Sequence, residues 1–191
     1  MPGRRQAFLG GQYYHIYHRG ADRRRIFFEE DNYLYFLRLV AEYREFFEVG
    51  VVAYCLLPNH FHFMLQPARD DTISKFMHRL QVSYVQAINK RYRRRAPLFH
   101  ERFQDKHVHD DRYQILLCRY IHRNPLKHGL VQSLEDWPFS NYLEFVAARP
   151  GKLLLPGFRE RFFPSPAAYA AFVAAFGTKE DRELEEWLGL K

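Results

Sequence analysis

The stretch Leu57-Pro58-Asn59-His60-Phe61-His62-Phe63-Met64-Leu65 decides how this chain folds. It follows Val51 to Leu57 (VVAYCLL), an unbroken apolar run that reads as a buried strand. Pro58-Asn59 is turn chemistry, and His60 to Gln66 returns as a second strand. Side chains alternate faces along a strand, so His60 and His62 share one face while Phe61 and Phe63 point to the other, toward a core. Packing does not call for two imidazoles side by side. Such a pair can hold one divalent metal and leave coordination positions open, as gripping a phosphate oxygen requires. The competing reading is a structural pair, a coincidence among ten histidines. The two residues alone do not separate these readings.

Upstream, Gln12 to His18 (QYYHIYH) is rich in strand formers and predicts the first strand, ended by Arg19-Gly20. Asp31 is placed to cap a helix over 32–47, where Tyr33, Phe36, Leu37, Val40 and Phe47 recur at helical spacing, and Gly50 stops it. Downstream, Asp71-Thr72 opens a second helix carrying Ile73, Phe76, Met77, Leu80, Tyr84 and Ile88 on one face to about Tyr92. A short strand follows around Phe103 to Val108. Asp110 and Asp111 then cap a third helix over 112–123, which Pro125 limits by pushing the residue before it out of the helical region. Strand, helix, strand, strand, helix, strand, helix is an α+β order, the ferredoxin-like βαββαβ arrangement. It predicts an antiparallel sheet with helices on one face and the histidines exposed on the other. Beyond residue 150 the character changes: Pro150-Gly151 and Pro164-Ser165-Pro166 punctuate a segment with two short helices, Ala167 to Phe176 and Lys179 to Leu188.

The chain has 191 residues, enough for one sizeable core at 47% hydrophobic, and a net charge of +7. Residues 151–191 hold six basic and six acidic side chains, so the excess lies in residues 1–150. Arg69 to Lys106 alone carries ten basic against four acidic groups. A positive zone beside the histidine pair favours an anionic partner, nucleic acid first. Three clusters are candidates for holding it: Arg23, Arg24 and Arg25; the run Lys90-Arg91-Tyr92-Arg93-Arg94-Arg95; and Lys106. The cations would contact phosphates and Tyr92 could stack on a base, against the plainer reading of a solvated basic face. Cys55 and Cys118 sit in apolar segments and read as buried free thiols of a reducing compartment. With no apolar run of the roughly 18–20 residues a membrane span needs and no signal core, a soluble cytoplasmic, nucleoid-associated protein is expected.

The second informative segment is Arg119-Tyr120-Ile121-His122-Arg123-Asn124-Pro125. Tyr120 and Asn124 are four apart and share a helix face. With 13 tyrosines in the chain, an ordinary half-buried aromatic is the default reading of Tyr120.

The ordered set of motifs narrows this. His60-Phe61-His62 after Leu57-Pro58-Asn59 resembles the His-hydrophobe-His motif of single-strand DNA transposases and relaxases. Tyr120 to Val131 (YIHRNPLKHGLV), followed by Asp136-Trp137-Pro138-Phe139-Ser140, resembles the end of the REP-associated tyrosine transposases. The likeness runs from about Tyr13 to Tyr142 and implies a catalytic domain, taken over 1–149. It does not cover the last forty residues, and 150–191 are expected, apart from it, to be a helical extension packed on the core. The resemblance implies that Tyr120 is the nucleophile and that His60 and His62 hold a divalent metal, Mg or Mn. Asn124 stands where related insertion-sequence enzymes carry a metal-coordinating Gln. It also implies single-stranded or hairpin DNA as substrate, and favours a monomer, with the alternative a homodimer such as related transposases form by exchanging the tyrosine helix.

The chemistry suits these residue types. A metal on a non-bridging oxygen offsets the charge that protects a phosphodiester from attack. A tyrosine hydroxyl, with pKa about 10, attacks once positioned. The product would be a 5′-phosphotyrosine and a free 3′-OH, with the phosphoryl energy stored for rejoining without ATP. The alternatives are a relaxase-like nicking enzyme and a non-catalytic hairpin-binding protein.

Overall fold

The computed structural model describes residues 7–151 and 153–189. Four strands, β1 (Tyr13–Arg19), β2 (Val49–Leu57), β3 (His60–Pro67) and β4 (Gln104–Val108), form one antiparallel sheet in the order β2-β3-β1-β4. This is the ferredoxin-like order, reached through α1 (Glu30–Phe46) between β1 and β2 and α2 (Thr72–Arg91) between β3 and β4. After β4 comes α3 (Asp111–Lys127), then four shorter helices: α4 (Tyr142–Phe145), α5 (Phe158–Phe162), α6 (Pro166–Ala174) and α7 (Lys179–Leu188). None of the described helices is long and apolar enough to cross a membrane.

The alternation read in the sequence sorts the strands between two cores. Tyr14, Ile16, Phe61, Phe63 and Leu65 pack with α1 and α2 on one face. Met64, Ala53, Cys55 and Leu57 pack with α3 and the later helices on the other. A bulge between Val51 and Ala53 inserts Val52 and re-phases β2, so Val49 and Val51 face the first core and so do Tyr54 and Leu56. Cys55 and Cys118 are buried and free in the second core, where the Cys118 thiol lies 3.8 Å from the Met64 sulfur.

Both faces of the sheet are therefore covered, which corrects the expected exposed histidine face. His60 and His62 are 5% and 4% exposed. The reason is α3, an amphipathic helix whose apolar residues Leu116, Leu117 and Ile121 need a surface to bury against and find it on that side of the sheet. Its N-terminus is capped as expected: the Asp110 carboxylate accepts from Tyr113 N–H at 3.1 Å. Pro125 does not end it. The helix runs to Lys127, with the Asn124 side chain holding the pre-proline position by donating from Nδ2 to the Tyr120 carbonyl at 2.8 Å.

Two other boundaries differ. Asp31 lies within the first turn of α1 after Glu29, and it is Asn32 whose Oδ1 reaches back to accept from Phe28 N–H at 2.9 Å. Helix α1 ends at Phe46, and Glu48 makes the reversal at φ 53°, leaving Gly50 inside β2. A Cβ on Gly50 would lie 2.9 Å from Leu155 Cδ1, so glycine there admits the C-terminal segment.

The outer edge of β2 is closed by two later segments. Leu56 N–H donates to Phe139 O at 2.9 Å and Trp137 Nε1–H to Leu56 O at 3.0 Å, while Leu155 N–H donates to Val51 O at 2.7 Å. Burying an edge in this way removes a template for aberrant pairing. Asn141 completes the seam by accepting from Tyr54 N–H at 2.7 Å and donating to Val52 O at 2.9 Å.

Asn141 also anchors α3. Its Oδ1 lies 2.9 Å from His122 Nε2, and His122 Nδ1 lies 2.6 Å from the Tyr169 hydroxyl of α6. Since Oδ1 can only accept, His122 is protonated on Nε2, so its Nδ1 accepts from the Tyr169 hydroxyl. One closed chain of hydrogen bonds thus joins β2, α3 and α6. Beside it, Arg119 and Asp181 form an ion pair at 2.6 Å with side chains 2% and 3% exposed, joining α3 to α7.

Tyr169→Phe leaves the buried His122 Nδ1 without a donor and is expected to cost about 1–3 kcal/mol in urea unfolding, with the m-value unchanged. Burial holds His122 down to about 4 and His15 and His60 to about 3, below the 6.5 of an open chain. On acidification the unfolded chain takes up protons first. Stability of the metal-free protein is thus expected to be full above about pH 7 and to fall steadily between 6.5 and 4, as thermal melts across that range would record.

Candidate nucleic-acid processing site

A cleft of about 570 Å³ opens at the end of the sheet where β1 leaves and β3 begins. His60 and His62 form its floor, Tyr120 and His128 of the α3 region one wall, and Arg19, Arg23, Arg102 and Lys127 bring cations to its lining. Tyr120 meets the histidines within one chain. Its ring stands edge-on to His62, centroids 5.5 Å apart at 85°, and His60 and His62 are 5.2 Å apart at 87°. Helix α3 lies across β2 and β3, and Tyr120 falls on the flank of that helix facing β1 and β3.

Each histidine is held by one ring nitrogen. His60 Nδ1 is 2.6 Å from Asn59 Oδ1, and His62 Nδ1 is 3.0 Å from His15 Nε2. Neither Nε2 has a hydrogen-bond partner among the described residues. Burial, with the neighbouring His128 and Arg19, pushes His60 down to about 3. His62 lies well below the usual imidazole value, first through burial and then through the histidines around it. Both rings are therefore neutral at physiological pH, the form that ligates a metal.

These donors fit a divalent cation at an open site. No group of three or more His, Cys, Asp or Glu among the described residues could hold an ion, so remaining ligands would be oxygens from elsewhere. Asn124 is fully buried, and its Oδ1 has no hydrogen-bond partner among the described residues. A carboxamide oxygen of this kind suits Mg or Mn. Asn124 does not line the cleft. Burial pushes the Tyr120 hydroxyl up to about 12, a rise that the Asn124 amide and Arg19 oppose. The tyrosine is thus held protonated until something beside it stabilises the phenolate.

The basic residues read from the sequence divide. Arg23 lines the cleft, and Arg23 and Arg25 line a neighbouring hollow with His60 and His128. Arg24 pairs with Asp22 at 3.6 Å. The run Lys90 to Arg95 lies at the end of α2, away from the cleft. There Arg91 pairs with Glu29 at 2.6 Å and Asp31 at 3.3 Å, the Tyr92 hydroxyl donates to Glu29 and Asn32, and Arg94 lies over Phe28 at 5.3 Å. These three tie the end of α2 to the start of α1. Lys90, Arg93 and Arg95 are exposed and carry no ion pair among the described residues. Lys106 lies over the Trp187 ring at 4.2 Å, outside the cleft.

Sequence reading missed His15, Tyr17, Arg19, Lys127 and His128. The first three were findable: Tyr13, His15, Tyr17 and Arg19 share a strand face by the period that singled out His60 and His62. Lys127 and His128 were hidden by ending α3 at residue 123.

The family model described as "Transposase IS200 like" matches residues 9–124. A relative from Haemophilus influenzae, assigned by name to the REP-associated tyrosine transposases, is 30% identical over 114 residues, 54% of this chain and 65% of its own length. The REP-associated tyrosine transposase of Escherichia coli is 28% identical over 102 residues, 53% of this chain and 58% of its own. The chain thus spans about three fifths of the curated relatives it matches. A solved structure of a REP-associated tyrosine transposase bound to a REP hairpin superposes with TM-score 0.66 at 19% identity, covering 83% of this chain and 93% of that one, and so shares the fold. With the family model covering all four strands, the paired histidines and most of the tyrosine helix, the chain belongs to the IS200-like transposases.

Proposed function

We propose that this protein cleaves and rejoins single-stranded DNA through a covalent bond to Tyr120, acting on hairpin DNA like that bound by its structural relative. The observation that carries this reading is the Tyr120 ring 5.5 Å from that of His62 in one cation-lined cleft. A tyrosine packed only for stability needs neither two neutral imidazoles with free Nε2 atoms nor a basic rim.

In this reading Arg19, Arg23 and Lys127 draw the phosphodiester into the cleft and fix its register. His60 and His62 would hold a divalent metal through Nε2, with the remaining positions filled by water and phosphate oxygens; Asn124 Oδ1, which does not line the cleft, would join them only if it turned toward it. That metal supplies Lewis-acid neutralisation of the phosphate charge and of the phenolate beside it. The Tyr120 oxygen attacks phosphorus, its proton passing to cleft water. The P–O3′ bond breaks, and the departing 3′ oxygen takes up a proton. Tyr120 then carries the 5′-phosphate until a 3′-OH attacks and reverses the step, so no nucleotide cofactor is consumed. Lys90, Arg93 and Arg95, exposed at the end of α2, are available for the phosphates of a duplex stem. Because tyrosine and histidines belong to one chain, the site has no need of a partner copy, and a monomer suffices.

With a labelled hairpin oligonucleotide and Mn²⁺, the wild type is expected to give a protein–DNA band that survives a denaturing gel. Tyr120→Phe should abolish that band while binding the hairpin within about twofold in a native gel. His60→Ala and His62→Ala should each lower its formation by about 100-fold or more. Hairpin binding with no covalent band under Mn²⁺ or Mg²⁺ would make the chain a binding protein instead.

A further inference from the structure

His15 lies in β1 and is 1% exposed. Its ring plane is within 12° of the His62 ring plane, with centroids 5.2 Å apart and His15 Nε2 3.0 Å from His62 Nδ1. Near-parallel planes with a short nitrogen-to-nitrogen approach describe an in-plane hydrogen bond between imidazoles. Tyr17 stacks on the same ring at 5.0 Å, and Tyr120 stands edge-on to it at 6.5 Å. His15 Nδ1 has no hydrogen-bond partner among the described residues.

Two arrangements of the pair's protons satisfy the shared bond. In one, His62 carries its proton on Nδ1 and donates to His15 Nε2. The His62 Nε2 lone pair then faces the cleft, and the His15 proton sits on Nδ1. In the other, His15 donates from Nε2 to His62 Nδ1, and His62 presents an N–H to the cleft. The proton count is the same, and only the first can ligate a metal.

We propose that His15 is a positioning residue that orients the His62 ring and accepts its Nδ1 proton in the ligating tautomer, and that metal binding selects that arrangement of the pair. The proposal rests on the metal reading of His60 and His62. A histidine ligand commonly donates its second ring N–H to a carboxylate or carbonyl, which sets both tautomer and ring orientation. Here an imidazole takes that place. Asn59 does the same for His60 through its Oδ1, 2.6 Å from Nδ1, and as a pure acceptor it permits one tautomer only. The two ligands are therefore unlike: His60 is fixed in advance, while His62 is fixed when metal arrives.

The test is Mn²⁺ binding by electron paramagnetic resonance titration of the full chain, on folded protein and without DNA. His15→Leu removes the acceptor and is expected to weaken binding by about 10–100-fold. His15→Gln restores an acceptor at similar reach and should recover most of the affinity. Hairpin binding in a chelator, which a general loss of structure would lower, should stay as in wild type for both. Nitrogen-15 spectra of the unaltered protein give a second arm that does not depend on a variant folding. Addition of Mg²⁺ should leave His62 protonated on Nδ1 alone. Wild-type and His15→Leu proteins of equal Mn²⁺ affinity would overturn the role of His15 while sparing the metal site. His62 protonated on Nε2 at saturating Mg²⁺ would show that this ring does not ligate through Nε2, and would overturn both the metal reading of His62 and the proposal. A wild-type chain that binds no Mn²⁺ would overturn the metal reading and the proposal with it.

Discussion

The structure depends on how α3 is rotated against the sheet. Successive residues of a helix turn by about 100°, so Tyr120 and His122 fall on opposite flanks with Ile121 between them. Ile121 and Leu117 bury against the sheet, Tyr120 turns to the cleft, and His122 turns to Asn141 and Tyr169. The His122 chain of hydrogen bonds and the buried Arg119–Asp181 pair grip the helix away from the cleft. A slight rotation would break hydrogen bonds whose groups are buried away from solvent. The placement of Tyr120 is thus fixed by residues that do not line the cleft, two of them, Tyr169 and Asp181, in the C-terminal segment.

Burial does two things to the histidines at once. It strips water from His15, His60 and His62 and keeps them neutral, which frees the lone pairs that a metal needs. The same desolvation is a liability in acid, where the unfolded chain binds protons that the folded one refuses. For Tyr120 burial works against reaction, raising the hydroxyl to about 12. A cleft lined with Arg19, Arg23 and Lys127 and floored by neutral imidazoles offers a compensating field once a cation and a phosphate are present.

Much of this was legible in the sequence. The strand formers of β1, the unbroken apolar run of β2, the period of two in β3 and the apolar repeat of α1 and α2 gave the element order, and the turn at Pro58-Asn59 paired the histidine strand with its neighbour. The Asp110 cap placed the start of α3. What escaped has physical causes. A proline is compatible with a helix when a side chain such as Asn124 holds the residue before it, and local rules do not include that help. The cover over the histidine face depends on contacts between segments over fifty residues apart, such as Cys118 with Met64. Helix α5, five residues long, is too short for periodicity to register. The basic run at 90–95 looked uniform in sequence, yet tertiary structure divides it between side chains that join two helices and exposed side chains with no ion pair among the described residues.

The most direct measurement is the location of the covalent bond. The adduct formed with hairpin DNA and Mn²⁺ would be digested with nuclease and trypsin and analysed by mass spectrometry. The account predicts a 5′-phosphonucleotide on the peptide Tyr120-Ile121-His122-Arg123. Tyr17 also lines the cleft and is the rival nucleophile, its ring 5.9 Å from that of His62. A modified peptide ending at Arg19, with Tyr120 unmodified, would contradict the account.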